Sequence, residues 1–122
     1  MAKKILIVDD EPQIVHLLSQ RLKANGYETF GANDSYQCIK MAREVKPNLI
    51  LLDMKMPAGG GVQAFNNLKA SVYTSVIPVI FVTANQSEEV KREVIAMGAD
   101  GFFAKPFNSV DLLNKIKALI GE

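Results

Sequence analysis

Three aspartates, one threonine and one lysine each stand directly after a short, mostly apolar run. Asp9 and Asp10 follow Ile5-Leu6-Ile7-Val8, and Asp53 follows Leu49-Ile50-Leu51-Leu52. Thr83 follows Val79-Ile80-Phe81-Val82, and Lys105 follows the segment from Gly101 to Ala104. If these runs are neighbouring strands, three carboxylates, a hydroxyl and an ammonium converge on one edge of a sheet, where ligands bind in open α/β proteins. Three carboxylates in one cleft repel one another, and a hard divalent cation offsets that repulsion. An all-oxygen donor set suits Mg²⁺, with Mn²⁺ as a substitute. Thr83 and Lys105 are not needed for the cation. They suit a second, anionic group beside it, the lysine as a point charge and the threonine as a hydrogen-bond donor. No glycine-rich phosphate loop follows the first run, so dinucleotide and P-loop nucleotide chemistry lack their motifs.

The apolar runs must be held by what lies between them. Pro12 is placed for the first turn of a helix. Ile14, Val15, Leu18 and Leu22 then recur at helical spacing up to Asn25-Gly26. Tyr27 to Ala32 reads as a second, weaker strand. A helix capped by Asp34 or Ser35 carries Ile39, Ala42 and Val45 before Pro47. Pro57 and Gly59-Gly60-Gly61 mark a turn, and Val62, Phe65 and Leu68 begin the third helix. Val90, Val94 and Met97 form the fourth, closed by Gly98. Ser109 is placed to cap a fifth that turns Leu112 or Leu113, Ile116 and Ile120 inward. Five strand–helix units with wholly apolar strands imply a parallel sheet covered on both faces. Flavodoxin-like and Rossmann-like strand orders both satisfy this pattern.

Composition narrows the functional classes. The 122 residues hold 14 Lys plus Arg against 13 Asp plus Glu, a net charge of +1, which gives no support for a dedicated nucleic-acid-binding surface. A hydrophobic content of 48% is too high for a disordered chain, and the length fits one domain over residues 1–122. With one cysteine, Cys38, and one histidine, His16, neither an internal disulfide nor a zinc cluster can form. Four apolar residues before Asp9 are too few for a signal peptide or a membrane span, so a soluble cytoplasmic protein is expected.

From Lys4 to about Ile120 the sequence resembles the receiver domain of two-component response regulators. Asp9-Asp10 match that family's paired acidic residues. Asp53, in Leu51-Leu52-Asp53-Met54-Lys55-Met56-Pro57, matches the aspartate that receives a phosphoryl group. Thr83-Ala84 match the switch hydroxyl and its small neighbour, and Lys105-Pro106 the lysine followed by a cis peptide bond. Phe102 falls at the switch aromatic. The resemblance implies a flavodoxin-like (βα)5 fold with strand order 2-1-3-4-5. It implies Mg²⁺ on Asp10, Asp53 and the Lys55 backbone carbonyl, with Asp9 acting through water. It also implies a sensor histidine kinase or histidine phosphotransfer protein as donor. A downstream protein target or a linked output domain would read the signal, and the face of helix four, strand five and helix five could form a homodimer. The side chains of Lys55 and Asn85 would flank the pocket and tune the lifetime of the phosphoryl group. One departure stands out. Receivers commonly carry an apolar residue, then Asp or Asn, then Gly where this chain has Gly59-Gly60-Gly61, so a looser loop with one fewer apolar anchor is expected.

Other residues have plainer expectations. Glu11 reads as a helix N-terminal charge, His16 as a partly exposed helical residue, Cys38 as partly buried and inert, and Met54 and Met56 as packing groups. Tyr27, Tyr36 and Tyr73 are not interleaved with basic residues as a nucleic-acid surface would be. Two rival functions remain. A magnesium-dependent phosphohydrolase using an aspartyl phosphate would need a second aspartate where Lys55 stands, and a cap domain. A phosphate-independent interaction module would have no use for Asp53, Thr83 and Lys105 together.

Overall fold

The computed structural model describes residues 2–55, 60–84 and 87–121. Five strands alternate with five helices: β1 Lys4–Val8, α1 Pro12–Ala24, β2 Glu28–Ala32, α2 Ser35–Val45, β3 Leu49–Leu52, α3 Gly60–Ala70, β4 Val79–Thr83, α4 Glu88–Ala96, β5 Gly101–Ala104 and α5 Ser109–Ile120. All strand pairs are parallel and the order is β2-β1-β3-β4-β5. The flavodoxin-like alternative is therefore the one adopted.

Side-chain alternation along the strands divides the core in two. Leu6, Val8, Ile50, Leu52, Val79 and Phe81 face one layer, filled by Cys38 and Ala42 of α2, Ala64, Phe65 and Leu68 of α3, and Val94 of α4. Phe65 and Phe81 meet there with ring centroids 5.5 Å apart. Ile5, Ile7, Leu49, Leu51, Ile80 and Val82 face the other layer, filled by Leu18 and Leu22 of α1 and Leu112 and Ile116 of α5. Strands buried on both faces explain why their sequences are unbroken apolar runs.

Helix ends follow side-chain chemistry, with one departure from expectation at α5. Asp34 caps α2 by accepting from the Gln37 N–H at 2.7 Å, and Ser87 caps α4. Ser109 does not cap α5. Asn108 does, its amide oxygen accepting from Val110 N–H and Asp111 N–H at 2.9 and 3.1 Å, which makes Ser109 the first helical residue. Tyr27 precedes β2 instead of beginning it. It is buried, and its hydroxyl donates to the Gly121 carbonyl at 3.2 Å. Cys38 is wholly buried, not partly, and burial pushes its thiol up to about 12, which leaves it protonated and inert.

Candidate active site

The parallel register brings the strand ends level. Val8 pairs with Leu52, and Leu52 with Phe81, so Asp9 and Asp53 leave the sheet side by side, with Thr83 closing the adjacent strand. Backbone bonds fix those exits: Asp53 N–H donates to Val8 C=O at 2.9 Å, Asp9 N–H to Ala32 C=O at 3.1 Å and Lys105 N–H to Thr83 C=O at 2.7 Å. Asp9, Asp10 and Asp53 each present a carboxylate oxygen within 4.8 Å of the other two. Asp9 and Asp53 are buried, Asp10 is exposed at the rim, and Thr83 is completely buried.

The Lys105 ammonium reaches into this cluster from the far side. Its Nζ lies 2.6 Å from Asp9 Oδ2, 3.3 Å from Glu11 Oε1 and 3.7 Å from Asp53 Oδ2. The Lys105–Pro106 peptide bond is cis. Burial lowers the affinity of the lysine for its proton, but the hydrogen bond to Asp9, the charges of Asp53 and Asp9 and the bond to Glu11 outweigh it, so its pKa is raised. Asp53 is pushed up to about 6, first by burial and then by the Asp9 charge, with Lys105 and the Lys55 N–H pulling the other way and Asp10 adding a smaller push. The Lys55 N–H lies 3.4 Å from Asp53 Oδ1, while the Lys55 side chain is exposed. This cluster is a set of hard oxygen donors able to coordinate a divalent cation.

Glu11 departs from its expected role. It occupies the N-cap position of α1, yet its side chain makes no cap bond and turns to Lys105. Its N–H donates to Asp9 Oδ1 at 2.9 Å, which ties the acidic turn together. The signal in the sequence was its position next to two carboxylates that must share one lysine. The glycines carry a second missed signal. Gly60 has φ +74, and a Cβ on Gly61 would stand 2.1 Å from the Asp53 carbonyl oxygen and 2.8 Å from Met54 Cα. Gly61 N–H donates to Met54 C=O at 2.9 Å. Gly61 is thus a close-approach residue that seats α3 on the backbone of Asp53, and not merely slack in a loop.

Phe102 pairs with Phe81 and Ala104 with Thr83 in the β4–β5 ladder, so Phe102 and Thr83 share a face of the sheet. Phe102 is half-buried against the core layer of α2, α3 and α4. His16 lies on α1, as expected, and is exposed. Asn85, and with it Met56, Pro57 and Gly59, lies outside the described residues.

Residues 5–117 match the family model described as the response regulator receiver domain. The chain belongs to that family. It is 37% identical over 120 residues to the phosphate regulon transcriptional regulatory protein PhoB of Escherichia coli, covering 98% of this chain and 52% of that one. It is 35% identical to the alkaline phosphatase synthesis transcriptional regulatory protein PhoP of Bacillus subtilis, covering 98% and 49%. The chain therefore spans about half the length of the curated relatives it matches. Among solved structures, the chemotaxis response regulator CheY4 of Vibrio cholerae superposes with a TM-score of 0.89 at 29% identity, covering 98% of this chain and 99% of that one. The receiver domain of the sensor histidine kinase PA1611 of Pseudomonas aeruginosa, solved with a magnesium ion coordinated in its active-site cleft, superposes at 0.89 and 25% identity over the whole of both chains. As a receiver domain this chain carries a clustered aspartate triad, Asp9, Asp10 and Asp53, of the kind typical of phospho-accepting response regulators. It is able to take part in its own phosphorylation and dephosphorylation and is not a metabolic enzyme. No helix among the described residues is long and apolar enough to cross a membrane.

Proposed function

We propose that Asp53 is the phosphoacceptor of a two-component switch, and that a phosphohistidine on a sensor kinase or histidine phosphotransfer protein is its donor. The observation that carries this reading is the buried Asp53 carboxylate beside Asp9 and Asp10, with the Lys105 ammonium 3.7 Å away. Asp10, Asp53, the Lys55 carbonyl and, through water, Asp9 would hold Mg²⁺ or Mn²⁺. A cation held there would supply positive charge to offset that of the transferring group. An Asp53 carboxylate oxygen bonds to phosphorus as the phosphorus–nitrogen bond breaks, and the electron pair leaves with the donor imidazole. Lys105 exchanges its Asp9 contact for an equatorial phosphoryl oxygen. The Thr83 hydroxyl donates to another, and Phe102, on the same face, packs into the space vacated. That population shift reshapes the α4–β5–α5 face. A downstream protein or linked output domain then reads this face, or a second copy pairs with it, in the cytoplasm.

Incubation with acetyl phosphate and Mg²⁺ followed by mass spectrometry tests the assignment. Label is expected on Asp53 alone and is expected to vanish in Asp53→Asn. Labelling of that variant at the wild-type level refutes the proposal. The switch has its own test. Beryllofluoride is expected to shift α4 resonances in wild type and in Phe102→Tyr but not in Phe102→Ala.

A further inference from the structure

At the amino edge of the sheet, across from Asp53, residues 71–78 connect α3 to β4 in a tightly bonded turn. The buried Thr74 hydroxyl donates to Leu68 C=O at 2.6 Å. The Lys69 ammonium donates to Ser75 C=O and Ile77 C=O at 3.0 and 3.1 Å. This ordered turn nevertheless displays Val72, Tyr73 and Val76 to solvent at 81%, 71% and 81% exposure. Apolar groups already held in place lose little conformational freedom when a partner covers them.

The neighbouring surface of α2 supplies charge. The Arg43 guanidinium lies 5.7 Å from the centre of the Tyr73 ring. Arg43, Lys46 and Tyr73 line a hollow of about 540 Å³. A second hollow of about 300 Å³ runs along α2 between Tyr36 and Glu44 and shares Arg43. Among the described residues that line these hollows, Lys40, Arg43 and Lys46 stand against a single carboxylate, Glu44. The whole chain carries only +1, so the positive excess is local. Lys69 is not part of it, because its ammonium is bound to carbonyls.

We propose that this surface docks an acidic protein segment carrying an aromatic or aliphatic anchor, with the anchor beside Tyr73 and the carboxylates on Arg43, Lys46 and Lys40. Charge complementarity selects an acidic occupant. Two hollows separated by a stacked arginine favour inserted side chains over a flat lipid surface. Docking here leaves the aspartate cluster open, so the proposal stands whether or not Asp53 is the phosphoacceptor.

The test is selection of a library of random displayed peptides on the immobilised chain. Expected is an enriched family rich in Asp and Glu around a Leu, Phe or Trp. Synthetic members of that family should bind at least about tenfold more weakly to Arg43→Glu and to Tyr73→Ala. Their amide shift changes should cluster at residues 36–46 and 71–76. Circular dichroism and beryllofluoride binding, measured alongside, should be unchanged in both variants. The proposal is overturned if no acid-rich family is enriched, or if such peptides bind Arg43→Glu as tightly as wild type. It is also overturned if phosphatidylglycerol vesicles bind at this surface while the peptides do not.

Discussion

Along β4, Phe81 and Thr83 are equally withdrawn from water, two residues apart on one face of the sheet, and burial does opposite things to the regions they belong to. Phe81 lies in the apolar interior, its ring tilted against that of Phe65. Thr83 lies at the edge, with Asp9 and Asp53 at the ends of β1 and β3. In the interior, removing surface from water stabilises the fold. At the edge the same helical layers enclose ionisable groups and raise the cost of their charge. The strands thus run from residues that hold the molecule together into residues that strain it, and the chemistry sits where that strain is concentrated. Lys105 relieves only part of it, since one ammonium is divided among Asp9, Glu11 and Asp53.

The sharpest way to break the contrast is to cut into the interior. Phe81→Ala should destabilise the protein by about 3–5 kcal/mol, from lost transfer energy and a residual cavity between α3 and the sheet. Urea unfolding measures it, and a loss below about 1 kcal/mol would show that the layer repacks freely.

At the edge the sign should reverse. Asp53 has a folded pKa of about 6 against an ordinary 3.8. The folded protein therefore holds a proton through the interval in which the unfolded chain has lost it. Stability falls as pH rises from about 4 to about 6, and the full penalty stands above that. With allowance for solvent at the cleft mouth, Asp53→Asn should stabilise the metal-free protein by about 1–3 kcal/mol at pH 8. The gain should fade toward pH 4. Urea unfolding in the presence of a chelator, repeated across this range, checks it. A gain that grew on acidification would show that Lys105 dominates over burial.

This contrast also explains what could be read from the sequence. Unbroken apolar runs ending in Asp, Thr or Lys announce both the parallel strands and the site, because one periodicity sets both. Strand order did not follow from the runs, since alternative windings bury them equally well; it followed from the family resemblance. Asn108 took the cap from Ser109 because either side chain can satisfy free N–H groups, and the choice depends on the entry path of the chain. Local sequence gives Glu11 only the role of a helix charge, because its partner lies 94 residues away. In the sequence Gly61 signals only backbone freedom, whereas its role is the space it leaves beside Asp53. Such contacts need the fold before they can be seen.

Within the acidic edge, the two exposed carboxylates should separate. Asp10 presents an oxygen to the aspartate triad, while Glu11 faces Lys105. Asp10→Ala should weaken Mg²⁺ binding by at least about tenfold, or roughly 1.4 kcal/mol. Glu11→Ala should weaken it by less than about threefold. Isothermal calorimetry distinguishes the two variants, and equal losses would mean that the edge attracts cations through diffuse charge alone.

The smallest expected effect lies where the edge meets solvent. Lys55 is bound to the site through its backbone, and its N–H approaches Asp53 while its side chain is exposed. A phosphoryl group on Asp53 would become the strongest anion within its reach. Hydrolysis requires water in line with the phosphorus–oxygen bond, and a long cation leaning over the opening obstructs that approach. Lys55→Ala should therefore shorten the lifetime of phospho-Asp53 by a factor of about 2–5, less than 1 kcal/mol of barrier. Mg²⁺ affinity should be unaltered, because the substitution keeps the backbone carbonyl. Single-turnover dephosphorylation at saturating Mg²⁺ measures it, with Asn85→Ala as the companion variant. An unchanged lifetime would place the lysine away from the pocket, and a longer one would make it an aid to the attacking water.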